Sequence, residues 1–332
     1  MLPTKVECRK SAKRRDSSIE LLRILAMLMI IARHYVGTNA FSVAAQPFSK
    51  RKIFLESFVY PSGKVGVVLF FFISAYFLCA TSTTIISNLR RIWILEREIL
   101  FWSIALCCFT FIVDTSELTP ALILQSIFPT LTGLWWYPTS YCIFLLLLPF
   151  LTAGLRAVGQ VAHKRLCIML VVLYFFIVGF LSIFVINYAP ITLNIATNSV
   201  TVFLLYFPLV AYYRWYMKPL KRTTSLICVI SGYAILFFTS VVSGLFFQNT
   251  NSYLTLQTYL GSTEYMLPIA LISIGLFTLF QNLHFSSSAI NFIAGRTFAV
   301  YLIHLYPPIS NFLWLNLFNM EPIWNSLNIR SF

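Results

Sequence analysis

Nine apolar runs of 18 to 24 residues follow one another along this chain, near 19–38, 64–81, 95–114, 136–153, 166–188, 200–217, 224–247, 265–283 and 297–318. A helix needs about 20 such residues to cross roughly 30 Å of hydrocarbon, so each run is read as a span. In lipid every backbone N–H and C=O must be bonded within the segment, which makes the helix the form an isolated apolar run takes. Asp, Glu, Lys and Arg make up only 10% of the chain, against about 25% in soluble proteins. The sequence therefore predicts an all-α, polytopic transmembrane bundle. The same scarcity of charge excludes disorder and the two soluble domains that 332 residues would otherwise suit.

The stretch 119–134, which contains Pro120 and is rich in Leu, Ile and Thr, is too short to cross and is expected to be interfacial or re-entrant. The organisation expected is a basic tail at 1–18, one membrane domain at 19–318 and a short tail at 319–332. Six of the seven cysteines lie in or at the edge of apolar runs, and only Cys8 sits in the basic tail. No paired spacing marks a disulfide framework or zinc site, so they are read as small hydrophobes. Neither the four histidines nor the ten carboxylates form a local ligand cluster, and no metal is expected.

The net charge of +14 raises the question of nucleic acid, but the basic residues lie between the apolar runs, where they set membrane topology. With the amino terminus in the cytoplasm, seventeen Lys and Arg fall on the inner side, five on the outer side and two, Arg23 and Arg33, in the first run. That imbalance predicts a cytoplasmic amino terminus, with the lipid bilayer as partner and no nucleic acid. A secretory signal is the weaker reading of residues 1–32, because Arg33 and His34 interrupt the apolar run before the possible cleavage site at Ser42-Val43-Ala44, and eight further spans make an uncleaved first helix simpler.

Ionisable groups inside a span are costly and mark candidate sites. The first run has Glu20, Arg23, Arg33 and His34. On a helix Arg23 and His34 lie about 20° from the same face and about 16 Å apart along the axis, and Glu20 is placed to pair with Arg23. Histidine titrates near neutrality; a histidine bonded to a carbonyl near the lipid interface is the plainer alternative. The second run contributes Ser74 and Tyr76. Arg90, Arg91 and Arg97 accompany Glu96 and Glu98 at the expected cytoplasmic end of the third, where guanidinium groups suit phosphates or simply set topology. Trp135 and Trp136 read first as an aromatic belt, and Tyr301 and His304 share a face of the last run. His163 and His284 fall in expected cytoplasmic loops and read as structural.

Several segments resemble the acyltransferase 3 family of integral membrane acyltransferases. Arg23 and His34 reproduce its basic residue, ten intervening residues and histidine, within SSIELLRILAMLMIIARHY. GKVGVVLFFFISAYFL, LWWYPTSYCIFLLLLPFL and INFIAGRTFAVYLIH follow in the family's order, so that the resemblance covers 17 to about 310. It implies about ten spans in a bacterial cytoplasmic membrane, with no bound cofactor and with acyl-CoA, acetyl-CoA above all, as co-substrate. It implies transfer to a hydroxyl of an exopolysaccharide, capsule, other cell-surface glycan or lipid-linked oligosaccharide, with His34 catalytic and Arg23 its motif partner. Glu20, Arg33, Ser74, Tyr76, Arg90, Arg91, Arg97, Trp136, Tyr301 and His304 are the accompanying candidates for substrate binding.

The chain departs from the family pattern in having Ala75 where a glycine is usual, and in spacing Arg91 and Arg97 six apart instead of as RxxR. It also ends at Phe332, shortly after the YLIH run, where relatives continue into a further helix, so an inactive truncated remnant stands as one alternative. A lipid-linked sugar transporter is another, although no inverted repeat of the kind transporters show is evident. A polysaccharide polymerase would be expected to have a more heavily charged outer loop than 39–63.

Overall fold

The computed structural model describes residues 16–81, 84–185, 195–246 and 258–326, and every regular element among them is helical. Most of the basic tail, residues 1–15 with Cys8, lies outside the described residues, as do 327–332. The tail expected at 319–332 begins with a short helix, Met320–Ser326.

Among the described residues each of the nine apolar runs is mainly helical, but the span count is smaller on length and composition. Lys50–Leu78, Trp136–Ala157, Gly159–Phe184 and Arg222–Phe246 are long and apolar enough to cross a membrane. A fifth arises if Ser288–His304 and Pro307–Pro322, bent by 87°, form one span. The other runs fall short for physical reasons. Ser17–Gly37 carries Glu20, Arg23 and Arg33; Ile85–Val113 has its charges in its first half; Val200–Tyr216 and Leu267–Gln281 have 17 and 15 residues. Large apolar side chains such as Phe111, Ile112, Phe184 and Phe246 are more than half exposed, which suits a lipid-facing surface and not a wet one.

The bend in the last run follows from Pro307 and Pro308, which lack the N–H needed to continue the helix. Thr297–His304 therefore stops at a corner, and Pro307–Asn311 leaves it in a new direction. The segment expected to be interfacial forms two short helices, Pro120–Ile127 and Pro129–Thr132, docked by side chains. Ser103 Oγ donates to the Ser126 carbonyl at 2.8 Å, and the Ser126 and Tyr306 hydroxyls bond at 3.0 Å, pinning this segment between the third helix and the corner.

The first helix, Ser17–Gly37, starts where Asp16 Oδ1 accepts the Ser18 N–H, and packs along Ser62–Leu78. Their backbones approach so closely that a Cβ on Gly66 would stand 2.5 Å from the Ala26 carbonyl oxygen. Ala75, on the same second helix, is fully buried. Aromatic rings fill the centre, with Phe71 and Phe203 stacked at 4.4 Å and Phe144 edge-on to both. Cys79, Cys142 and Cys167 are buried free thiols.

Candidate functional site

Where the first two helices meet the end of Trp136–Ala157, a cavity of about 220 Å³ is lined by Arg33, His34, Tyr60, Lys64, Trp136 and Asn198, among others. Arg33 is held at its wall: Nη1 donates to the Tyr60 carbonyl at 2.9 Å, and the guanidinium lies 4.1 Å from the Tyr60 ring centroid. Glycine is needed opposite, since a Cβ on Gly63 would fall 2.2 Å from Arg33 Cδ.

Beside this wall is a buried charge network that the sequence reading did not single out. Lys64, counted there with the outer loop, is only 6% exposed. Its Nζ donates to Glu264 Oε1 at 2.7 Å, to Asn198 Oδ1 at 2.8 Å and to Thr197 Oγ1 at 3.2 Å, using all three of its protons. Thr197 Oγ1 donates to Glu264 Oε2 at 2.5 Å, and Tyr206 donates to the Glu264 carbonyl at 2.6 Å. Asn198 reaches in from a left-handed backbone, φ 53°, which Asn tolerates better than most side chains. The available signal was two opposite charges at the mouths of apolar runs, Lys64 and Glu264.

The corner at Pro307 brings in His304. Its ring lies edge-on to His34 with centroids 5.5 Å apart, and its Nδ1 is 2.7 Å from the Val300 carbonyl oxygen. Trp135 supports this corner from beneath and is no interfacial belt residue: it is 3% exposed, and its indole N–H bonds the Leu302 carbonyl at 3.1 Å. Trp136, next to it, faces the cavity.

Toward the other end of the first helix, Ile30 is a wall of both the His34 cavity and a smaller one of about 20 Å³, lined further by Met27, Phe70, Tyr137, Phe298 and Tyr301. Arg23, Met27, Ile30 and His34 thus follow one stripe. At its far end Arg23 pairs with buried Glu20 at 3.1 Å. Half-buried Tyr141 lies near Ser74, Arg23 and Arg91, and Arg91 Nη1 donates to Asn88 Oδ1 at 2.6 Å.

The structure so divides the candidates into two groups, with Arg33, His34, Trp136 and His304 about the larger cavity, Glu20, Arg23, Ser74 and Arg91 toward the other end of the first helix, and Tyr301 on the smaller cavity between. Three candidates lie apart. Tyr76 accepts from Arg214 at 2.6 Å and from Gln281 at 2.5 Å, tying three helices together. Arg90 and Arg97 are exposed on the third helix. His163, expected in a loop, is fully buried on Gly159–Leu170 and bonds the Pro208 carbonyl at 2.9 Å, while exposed His284 pairs with Asp16 at 2.9 Å.

Taken together, these features define a helical membrane bundle with an internal cavity walled by ionisable side chains. The acyltransferase domain model of the acyltransferase 3 family matches residues 16–329, nearly the whole chain, and the chain belongs to that family. It is an acyltransferase by family, built on the apolar helices of a multi-pass membrane protein. Comparison with curated proteins and with solved structures gives no match.

Proposed function

We propose that this acyltransferase moves an acyl group, acetyl above all, from acyl-CoA at the cytoplasmic face of a bacterial cytoplasmic membrane to a hydroxyl of a cell-surface glycan or lipid-linked oligosaccharide at the outer face. One observation carries this reading: His34 opens on a polar cavity, a small apolar pocket sharing Ile30 lies next to it, and an ion-paired arginine stands further along the same face of the first helix.

The two ends divide the work. Arg23, steadied by Glu20, binds a phosphate of CoA, with Arg91 adding positive potential nearby; guanidinium groups hold phosphate oxygens bidentately. The acyl group enters between Met27, Ile30, Tyr137 and Tyr301. That passage has room for about one water as it stands, so the side chains must part for the thioester. At the outer end Trp136 offers a flat face for a sugar ring, and the acceptor hydroxyl lies against His34.

In the transfer the hydroxyl oxygen forms a bond to the acyl carbon, the carbon–sulfur bond breaks, and the hydroxyl proton passes through His34 to the departing thiolate to give free CoA. His34 serves as general base, or takes the acyl group first and hands it on; a neutral imidazole suits both roles. The Arg33 guanidinium, with donors not engaged by Tyr60, stabilises the oxyanion that forms on the way.

The test is the O-acetyl content of the host's surface polysaccharide, by proton NMR, in a deletion strain complemented with wild type or with His34→Ala. The expected result is acetyl lost on deletion and restored by wild type alone, with both proteins present in the membrane. Full acetylation by His34→Ala would overturn the role of His34. No change on deletion would overturn the acceptor class and would be followed by labelled acetyl-CoA turnover in membranes.

A further inference from the structure

The Val300 carbonyl oxygen only accepts hydrogen bonds, so the His304 Nδ1 beside it at 2.7 Å carries the proton. A neutral His304 then has its lone pair on Nε2. That nitrogen is buried with no hydrogen-bond partner, in a side chain only 5% exposed, and a buried acceptor left unpaired is costly. Three rings touch His304: His34 at 5.5 Å between centroids, Tyr301 at 6.0 Å and Trp314 at 6.5 Å. All three lie edge-on, and Tyr301 Oη and Trp314 Nε1 are also buried without a partner, but His34 is the nearest and alone of the three borders the polar cavity.

We propose that His304 is the positioning residue for His34: its Nε2 accepts the N–H of the His34 ring and leaves the other His34 nitrogen bare toward the cavity. A chain then runs from the Val300 carbonyl through His304 to His34 and on to the acceptor hydroxyl. Each neutral imidazole in it donates once and accepts once. Such a partner fixes both the tautomer and the angle of the reacting ring. The surroundings are rigid enough for the task, because the Trp135–Leu302 and Ser126–Tyr306 hydrogen bonds pin the corner on which His304 stands. The inference rests on the assignment of His34 made above and applies whether His34 acts as base or as acyl carrier.

The test uses full-length protein in nanodiscs, with radiolabelled acetyl-CoA and the host's de-O-acetylated surface polysaccharide as probes. His304→Ala is expected to lower kcat about 10–100-fold, with the KM for acetyl-CoA changed less than about 2-fold, since only transition-state interactions are removed. His304→Gln, whose side-chain carbonyl also accepts, should recover most of the rate. In a His34→Ala background His304→Ala should cost nothing further, because it acts through the missing ring.

The proposal falls if His304→Ala keeps the wild-type kcat, if Gln is as damaging as Ala, or if the two histidine losses add. It falls equally if Trp314→Phe reproduces the loss of His304→Ala, which would give Nε2 to that donor. His304→Phe replaces His304→Ala if the smaller side chain leaves too little folded protein. Imidazole nitrogen NMR of the wild type supplies a check needing no variant, in which an Nε2-protonated His304 would overturn the assignment. Full activity in His34→Ala would instead remove the functional reading itself, whereas a dead His34→Ala with active His304 variants removes only this inference.

Discussion

Lys64 and Glu264 show what a single pair of residues does inside this bundle. Both are buried; Lys64 bonds Glu264, Thr197 and Asn198, and the Glu264 carboxylate accepts from Lys64 and Thr197 while Tyr206 bonds its backbone carbonyl. Removing one partner of a buried pair leaves an uncompensated charge, which costs about 3–5 kcal/mol. Glu264→Ala is accordingly expected to lower the thermal unfolding midpoint in detergent sharply. A Lys64→Met, Glu264→Met double variant should lie closer to wild type than Glu264→Ala does. A Glu264→Ala protein as stable as wild type would show that the pair is not buried in the folded state. The sequence could not reveal this pair, since 200 residues separate its members and each looks like an ordinary charge at the mouth of an apolar run. The Arg23–His34 alignment was legible for the opposite reason, because helical periodicity alone places both on one stripe.

Between elements, the closest constraint is the crossing of the first two helices. A methyl group on Gly66 would press on the Ala26 carbonyl oxygen, which is backbone and cannot turn aside. Overpacking of this kind costs about 1–3 kcal/mol. Gly66→Ala should thus yield less folded protein by fluorescence-detected size exclusion, and wild-type yield and melting would refute the close approach. The acyl path proposed between these helices and Thr297–His304 makes a different prediction. If Phe70 narrows it, Phe70→Ala should admit propionyl-CoA. A pocket that discriminates by one methylene does so by about 10–200-fold; the acetyl-to-propionyl ratio of kcat/KM should fall toward unity in this variant and stay high in wild type. An unchanged ratio would remove Phe70 from the acyl path. The docking of Pro120–Thr132 against the corner was not readable from sequence, because a short apolar stretch gives its length but not its neighbour. The corner itself was written in Pro307 and Pro308, inside a run whose apolar character suggested continuity.

At the scale of the molecule, the apolar runs are helical among the described residues, the last of them broken at Pro307, so element type followed directly from composition. Which of them cross did not. Charges in the first and third helices and the shortness of others leave four, or five with the bent pair, that meet the length and composition required. The proposed orientation makes a direct prediction: a reporter active only outside the cytoplasm, inserted near residue 45, should be active, and the same reporter near residue 160 or 220 should be silent. The reverse pattern would invert the membrane orientation and with it the assignment of donor and acceptor faces.

The shared wall at Ile30 has a consequence for the energy economy of the cell. A protein that hands a chemical group from one side of an energised membrane to the other risks providing a leak for protons and sodium. The proposed acyl path passes the pocket among Met27, Ile30, Phe70, Tyr137, Phe298 and Tyr301, whose free volume is about 20 Å³, room for about one water and too little for a hydrated ion. On the proposed reading, cargo crosses only as a compact, uncharged acyl group, and the electrochemical gradient across the membrane is preserved between turnovers.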